Sequence, residues 1–151
     1  MDRKAVFEQL KVDEGVVYEI YEDHLGYPTF GVGHLVLESD PEHGQAVGTP
    51  VSEERVLECF EDDLDIAISE CKVLYEDDWH SFPGEVQEVL VNMLFNLGRP
   101  RLAKFKNFNS KLIEGDYAGA APEGLDSLWA RQVGDRATRL MERLEQVQYT
   151  S

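Results

Sequence analysis

Glu14, Asp23 and Thr29 stand in the spacing E-x8-D-x5-T, and His34 follows five residues later. Two carboxyl groups and a hydroxyl in this order can protonate a leaving oxygen and hold a water beneath the bond being cut. Each residue alone has a plainer reading. Glu14 would be an ordinary carboxylate at a helix end, and Asp23 a turn former ahead of Gly26. The three together are bracketed by the segment VDEGVVYEIYEDHLGYPTFGVGHL, residues 12–35, rich in Gly and Tyr.

The elements that must position these groups are legible in outline. Asp2 can cap a first helix, in which Ala5, Val6, Phe7, Leu10 and Val12 give an apolar side and Gly15 a stop. Glu14 then sits at a helix C-terminus, where the dipole disfavours a negative charge and so favours the proton that a general acid must carry. From Val16 the period changes. Val17, Tyr18, Ile20 and Tyr21, then Tyr27 to Val36, are β-branched or aromatic with Gly26, Gly31 and Gly33 as turns or bulges, which predicts two or three short antiparallel strands. Residues 38–50, ESDPEHGQAVGTP, read as a loop. Ser52 caps a helix whose stripe Val56, Phe60, Leu64, Ala67, Cys71 and Leu74 runs to about Tyr75, roughly 35 Å at 1.5 Å per residue.

Downstream the pattern is helical. Pro83 suits the first turn of a helix that Gly98 ends, apolar on nearly every side (VLVNMLFNL) as a central buried helix would be. LAKFKNFNSKLIEG reads as one helix ended by Gly115. Shorter pieces follow at Tyr117–Ala121 and Glu123–Arg131, and a last helix at Asp135–Gln148. The expected class is α+β in one domain over 1–151. It comprises a β-containing lobe at about 14–58, a linking helix at 52–75, and a helical lobe at about 76–151 that also takes in the N-terminal helix 2–13.

Net charge is −16, and it is one-sided. Residues 1–80 hold 21 acidic against 5 basic side chains, whereas residues 81–151 hold 9 of each. A chain this acidic is a poor match for nucleic acid, whose phosphates call for a basic surface. An acidic decoy that mimics DNA is the functional alternative, and a solubilising surface the plain one. With 42% hydrophobic residues the chain is not compositionally disordered. The N-terminus lacks the apolar core of a signal peptide, and no segment is long and apolar enough for a membrane span. Cys59 and Cys71, twelve residues apart on one predicted helix, lie about 18 Å apart and cannot pair.

Other chemistries fail on spacing. His24, His34, His43 and His80 show no H-x3-H pattern, so no metal site is expected. Gly31-Val-Gly33 lacks the third glycine of a dinucleotide loop, Asp63-Leu-Asp65 has no following glycine and lies on a helix, and no Gly-x-Ser-x-Gly or Gly-Lys-Ser/Thr occurs.

Four passages, VDEG at 12–15, YEDHLGYPTFGVGHL at 21–35, VNMLFNLG at 91–98 and LWARQVGDRATR at 128–139, resemble in order and spacing the phage lysozyme family of muramidases. The resemblance implies a lysozyme-like fold and hydrolysis of the β-1,4 bond between N-acetylmuramic acid and N-acetylglucosamine, with inversion and without a cofactor. It implies Glu14 as general acid, Asp23 stabilising the developing positive charge and helping to orient or deprotonate the water, and Thr29 holding that water. His34 and Leu35 would border the substrate, with His34 structural and paired with Asp63. Asn96, Gln132 and the run Lys104–Asn107, which includes Phe105 and Asn107, fall where the family's cleft wall meets sugars and peptides. Arg136 matches the arginine that the family keeps near its glutamate, although the first turn of a helix could equally leave it exposed. The implied partner is bacterial peptidoglycan, met by a monomer without nucleic acid or membrane. The implied route is synthesis in a bacterial host cytoplasm and action on the wall after holin-type release. A lytic transglycosylase and a catalytically silent wall-binding module are the alternatives.

Overall fold

A computed structural model describes the backbone of residues 1–150 and the side chains of residues 1–147. The element order is α1 (Arg3–Glu14), β1 (Val17–Glu22), β2 (Pro28–Gly31), β3 (His34–Leu35), α2 (Glu53–Tyr75), α3 (Asp78–Ser81), α4 (Gly84–Leu97), α5 (Arg99–Ala103), α6 (Lys106–Ile113), α7 (Tyr117–Leu125), α8 (Leu128–Val133) and α9 (Asp135–Thr150). This small antiparallel sheet among many helices is the expected α+β, lysozyme-like fold.

Contacts divide the chain into two compact units, one of residues Arg3–Ile66 and one that begins at Ala67 and takes in Met1–Asp2. In the first, α1 ends where Gly15 adopts φ +80°, a left-handed conformation that costs glycine little. The chain turns there into the sheet, whose order is β1-β2-β3. Tyr21 pairs with Thr29 and Glu22 with Pro28, and an irregularity between Val17 and Tyr21 bends β1. Thr29 pairs in turn with Leu35 and Phe30 with His34. Val6, Leu10, Ile20, Phe30, Val56, Phe60 and Leu64 are buried in this unit. Phe7 packs on Phe60 with ring centroids 4.7 Å apart, and Arg3 bonds Glu61 and Asp65 on α2 at 2.7 and 2.8 Å. These contacts tie α1 to the first part of α2.

The predicted helix over 52–75 is present, with Ser52 Oγ accepting from Arg55 N at 3.1 Å. It ends at Glu76, whose φ is +52°. In the second unit α4 is the buried centre, with Val86, Val89, Leu90, Val91, Met93, Leu94 and Leu97 all covered. Gly124 on α7 permits a close approach, because an added Cβ would stand 2.5 Å from Met141 Sδ on α9.

Three local departures have physical causes. LAKFKNFNSKLIEG is two helices, since Phe105 leaves helical conformation (φ −77°, ψ 64°). The break sets its ring edge-on to both Phe108 and Trp129 at about 6 Å, and the Leu102 carbonyl accepts from both Phe105 N at 3.1 Å and Asn109 Nδ2 at 3.0 Å. The predicted stop before Glu123 is absent: α7 runs through Pro122 and ends at Leu125, and Ser127 caps α8 by accepting from Ala130 N. The short helix α3, which the sequence pattern did not indicate, buries Trp79 against Phe82.

Candidate functional site

The hairpin between β1 and β2 shapes the carboxylate at Asp23. Asp23 N donates to Tyr27 O and Gly26 N to Asp23 O, both at 2.9 Å, with Gly26 at φ +85°. This turn leads the Leu25 and Tyr27 amides to Asp23 Oδ1, each at 2.9 Å. The Tyr27 N–H is the main influence and holds the carboxyl below its ordinary range, against the opposing effect of burial and with further help from Leu25. Asp23 is therefore ionised at neutral pH.

Thr29 is buried, and its hydroxyl donates to Tyr27 O at 2.9 Å. With its proton so committed, Oγ1 can offer only lone pairs to a further partner. Glu14 is the exposed last residue of α1, one position before the Gly15 turn. Tyr21 links these groups electrostatically: burial and then the negative charges of Asp23 and Glu14 push its phenol above the ordinary value. Both carboxylates thus lie within electrostatic reach of one side chain, which pairs in register with Thr29.

His34 and Leu35 form β3. Leu35 is exposed. His34 is buried, with Nδ1 2.8 Å from Asp63 Oδ2 and Nε2 2.8 Å from Asp40 Oδ2. Asp63, the partner implied by the resemblance, is there, and Asp40 from the loop is a second. Both ring nitrogens are occupied, so the imidazole has none to offer a sugar, and its role is to hold β3 against α2. Asp63 chiefly, then Asp40 against the cost of burial, raise its pKa to about 9.

The remaining residues lie in the second unit. Arg136 is buried, which excludes the exposed reading: Nε donates to Asn92 Oδ1 at 2.9 Å and Nη2 to Asn92 O at 3.2 Å. Asn96 accepts from Trp129 Nε1 at 2.7 Å, and Phe105 meets the same indole. Asn107 is exposed and, with Phe105, Lys106, Glu123, Asp126 and Ser127, lines a cavity of about 320 Å³. Gln132 is exposed near the end of α8.

The sequence reading missed Tyr27 and Asp40 in the first unit and Asn92 and Trp129 in the second, each the partner of a candidate residue. Tyr27 acts through its peptide, which carries no signature in the side-chain pattern. Asn92 and Trp129 lie inside the passages VNMLFNLG and LWARQVGDRATR, which was the available signal.

The phage lysozyme family model matches residues 11–146. The pre-baseplate central spike protein Gp5 of Enterobacteria phage T4 is 29% identical over 90% of the chain, which spans 27% of that protein. Probable T4-type lysozyme 1 of Dictyostelium discoideum is 26% identical over 93% of the chain and 94% of its own length. Probable T4-type lysozyme 2 of the same organism is 28% identical over 91% and 92%. With nearly its whole length matched by that model, the chain belongs to the phage lysozyme family.

Proposed function

We propose that the protein is a peptidoglycan hydrolase of the muramidase type, cleaving the β-1,4 bond between N-acetylmuramic acid and N-acetylglucosamine. The observation that carries this reading is the hairpin that keeps Asp23 ionised beside a Thr29 hydroxyl whose proton is already engaged. Glu14 protonates the glycosidic oxygen. Asp23 stabilises the positive charge developing at the sugar carbon and takes or orients a proton of the attacking water. Thr29 Oγ1 accepts from that same water, so two acceptors fix its orientation and leave an oxygen lone pair for the carbon. Leu35, Asn96, Phe105, Asn107 and Gln132 contact the glycan and its peptides, and Arg136 is a further residue of the substrate-binding set. The residues form a single lysozyme domain, monomeric and acting on the bacterial wall. Among the described residues no helix is long and apolar enough to cross a membrane.

The reading is tested by digesting purified sacculi and analysing the fragments by mass spectrometry. New reducing N-acetylmuramic ends are the expected product. A 1,6-anhydro product assigns the reaction to a transglycosylase, and binding without any new ends to a silent wall-binding module.

A further inference from the structure

The structure assigns to the buried cluster of His34, Asp40 and Cys59 a second role, as a site for one borderline-soft divalent cation of the zinc class. The three come from β3, the 38–50 loop and α2, so no short sequence spacing announces them. One ligand atom from each, a ring nitrogen, a carboxylate oxygen and the thiol sulfur, all lie within 4.8 Å of one another. Around a tetrahedral zinc such atoms stand roughly 3.3–3.8 Å apart, so closure takes side-chain shifts of about 1 Å. Nitrogen, oxygen and sulfur together favour zinc, cobalt or cadmium over calcium or magnesium, which take oxygen ligands.

Two of the three ligands are already oriented from outside. Asp63 Oδ2 accepts from His34 Nδ1 at 2.8 Å, which fixes the proton there and leaves Nε2 facing Asp40. That carboxylate–histidine relay is the usual outer support of a histidine ligand. Asp40 is steadied by Leu37 N at 2.8 Å and Arg55 Nη2 at 3.1 Å. Charge also favours a dication. The carboxylates of Asp40, Glu42, Glu58 and Asp63 surround the two cationic side chains His34 and Arg55, an excess of two negative charges with His34 protonated.

The cation replaces the proton shared by His34 Nε2 and Asp40 Oδ2 and takes the thiolate of Cys59, so two protons leave to solvent. A water completes the tetrahedron. Bound there, the ion ties three segments together and stabilises the folded chain by mass action.

The full chain, stripped with a chelator, is titrated with Co²⁺ and then with Zn²⁺. The expected result is one cobalt per chain with a thiolate-to-cobalt charge-transfer band that zinc abolishes. Cys59→Ser removes the band, Cys71→Ser keeps it, and Asp63→Asn weakens zinc binding about 10- to 100-fold. Wild-type protein with no saturable cobalt binding, or a band that persists in Cys59→Ser, overturns the assignment. Neither readout depends on wall hydrolysis.

Discussion

Asp23 and Thr29 close on the same residue from its two sides. Asp23 Oδ1 accepts the Tyr27 N–H, while the Thr29 hydroxyl donates to the Tyr27 carbonyl, both at 2.9 Å. One peptide unit away from the turn, the hairpin thereby sets a negative acceptor and a neutral acceptor in fixed relation. Neither side chain can rotate without giving up a hydrogen bond.

Removing the neutral acceptor separates its two tasks. Thr29→Val keeps shape but loses the hydroxyl. Stability should fall by about 1 kcal/mol, because Tyr27 O retains the Asp23 N–H. Wall hydrolysis should fall about 100-fold. Thr29→Ser should restore most of the rate. Thermal unfolding and reducing-end release measured on the same samples distinguish a structural loss from a lost water contact.

Removing the charge of Asp23 should act on rate with little effect on fold. Asp23→Asn retains an oxygen for the Leu25 and Tyr27 amides but cannot become an anion. The rate should drop by about 100-fold or more, with only a small fall in unfolding midpoint as the amides lose a charged acceptor. A parallel loss of both would mean that Asp23 serves the hairpin alone.

His34 makes stability depend on pH on the alkaline side. Its folded pKa, raised to about 9 from 6.5, means that the folded state binds the proton more tightly than the unfolded one. The gain is full below about pH 6.5 and disappears as pH rises through 9. Its size is on the order of 2 kcal/mol, reduced from the full shift by solvent screening. Denaturant unfolding with chelator present should show a decline between pH 6.5 and 9 that is absent in His34→Gln.

The Arg136 guanidinium is buried against Asn92. Asn92→Ala withdraws the side-chain acceptor from a charged donor and should cost about 2 kcal/mol of stability. Asn107→Ala, on an exposed position at the 320 Å³ cavity, should change stability by less than about 0.5 kcal/mol. It should instead raise KM with kcat little altered if Asn107 binds substrate.

The regular elements were legible because their apolar residues recur with period 3.6 or 2, as in the Val56-to-Leu74 stripe of α2 and the strands flanking Gly26. Local conformation against the pattern was not. Lys104-Phe105-Lys106 looks helical, and only packing of the Phe105 ring on Trp129 makes the break worthwhile. Pro122 looks like a boundary, yet α7 passes through it because Ala120, Ala121 and Gly124 are buried on both sides of it. Glu14, Asp23 and Thr29 were legible from spacing. The peptide of Tyr27 that joins two of them, and the Asp40–His34–Cys59 cluster, depend on chain segments meeting in space.

Charge gives a further signature. The unit holding Glu14 and Asp23 contains 16 acidic and 4 basic side chains over residues 3–66, a net of −12. Repulsion from an anionic wall should be screened as ionic strength rises from about 0.01 to 0.15 M, where the Debye length falls from about 30 to 8 Å. Wall clearing should therefore quicken with salt over that range, where a cationic lysozyme would slow.

The most direct measurement is the rate of new reducing-end formation from purified sacculi by the wild-type chain and by Glu14→Gln. Glu14 is exposed at the end of α1, so the variant should fold normally. Loss of the acid should slow the reaction by at least about 100-fold. Equal rates for the two proteins would contradict the assignment of Glu14 as the acid on which the whole account rests.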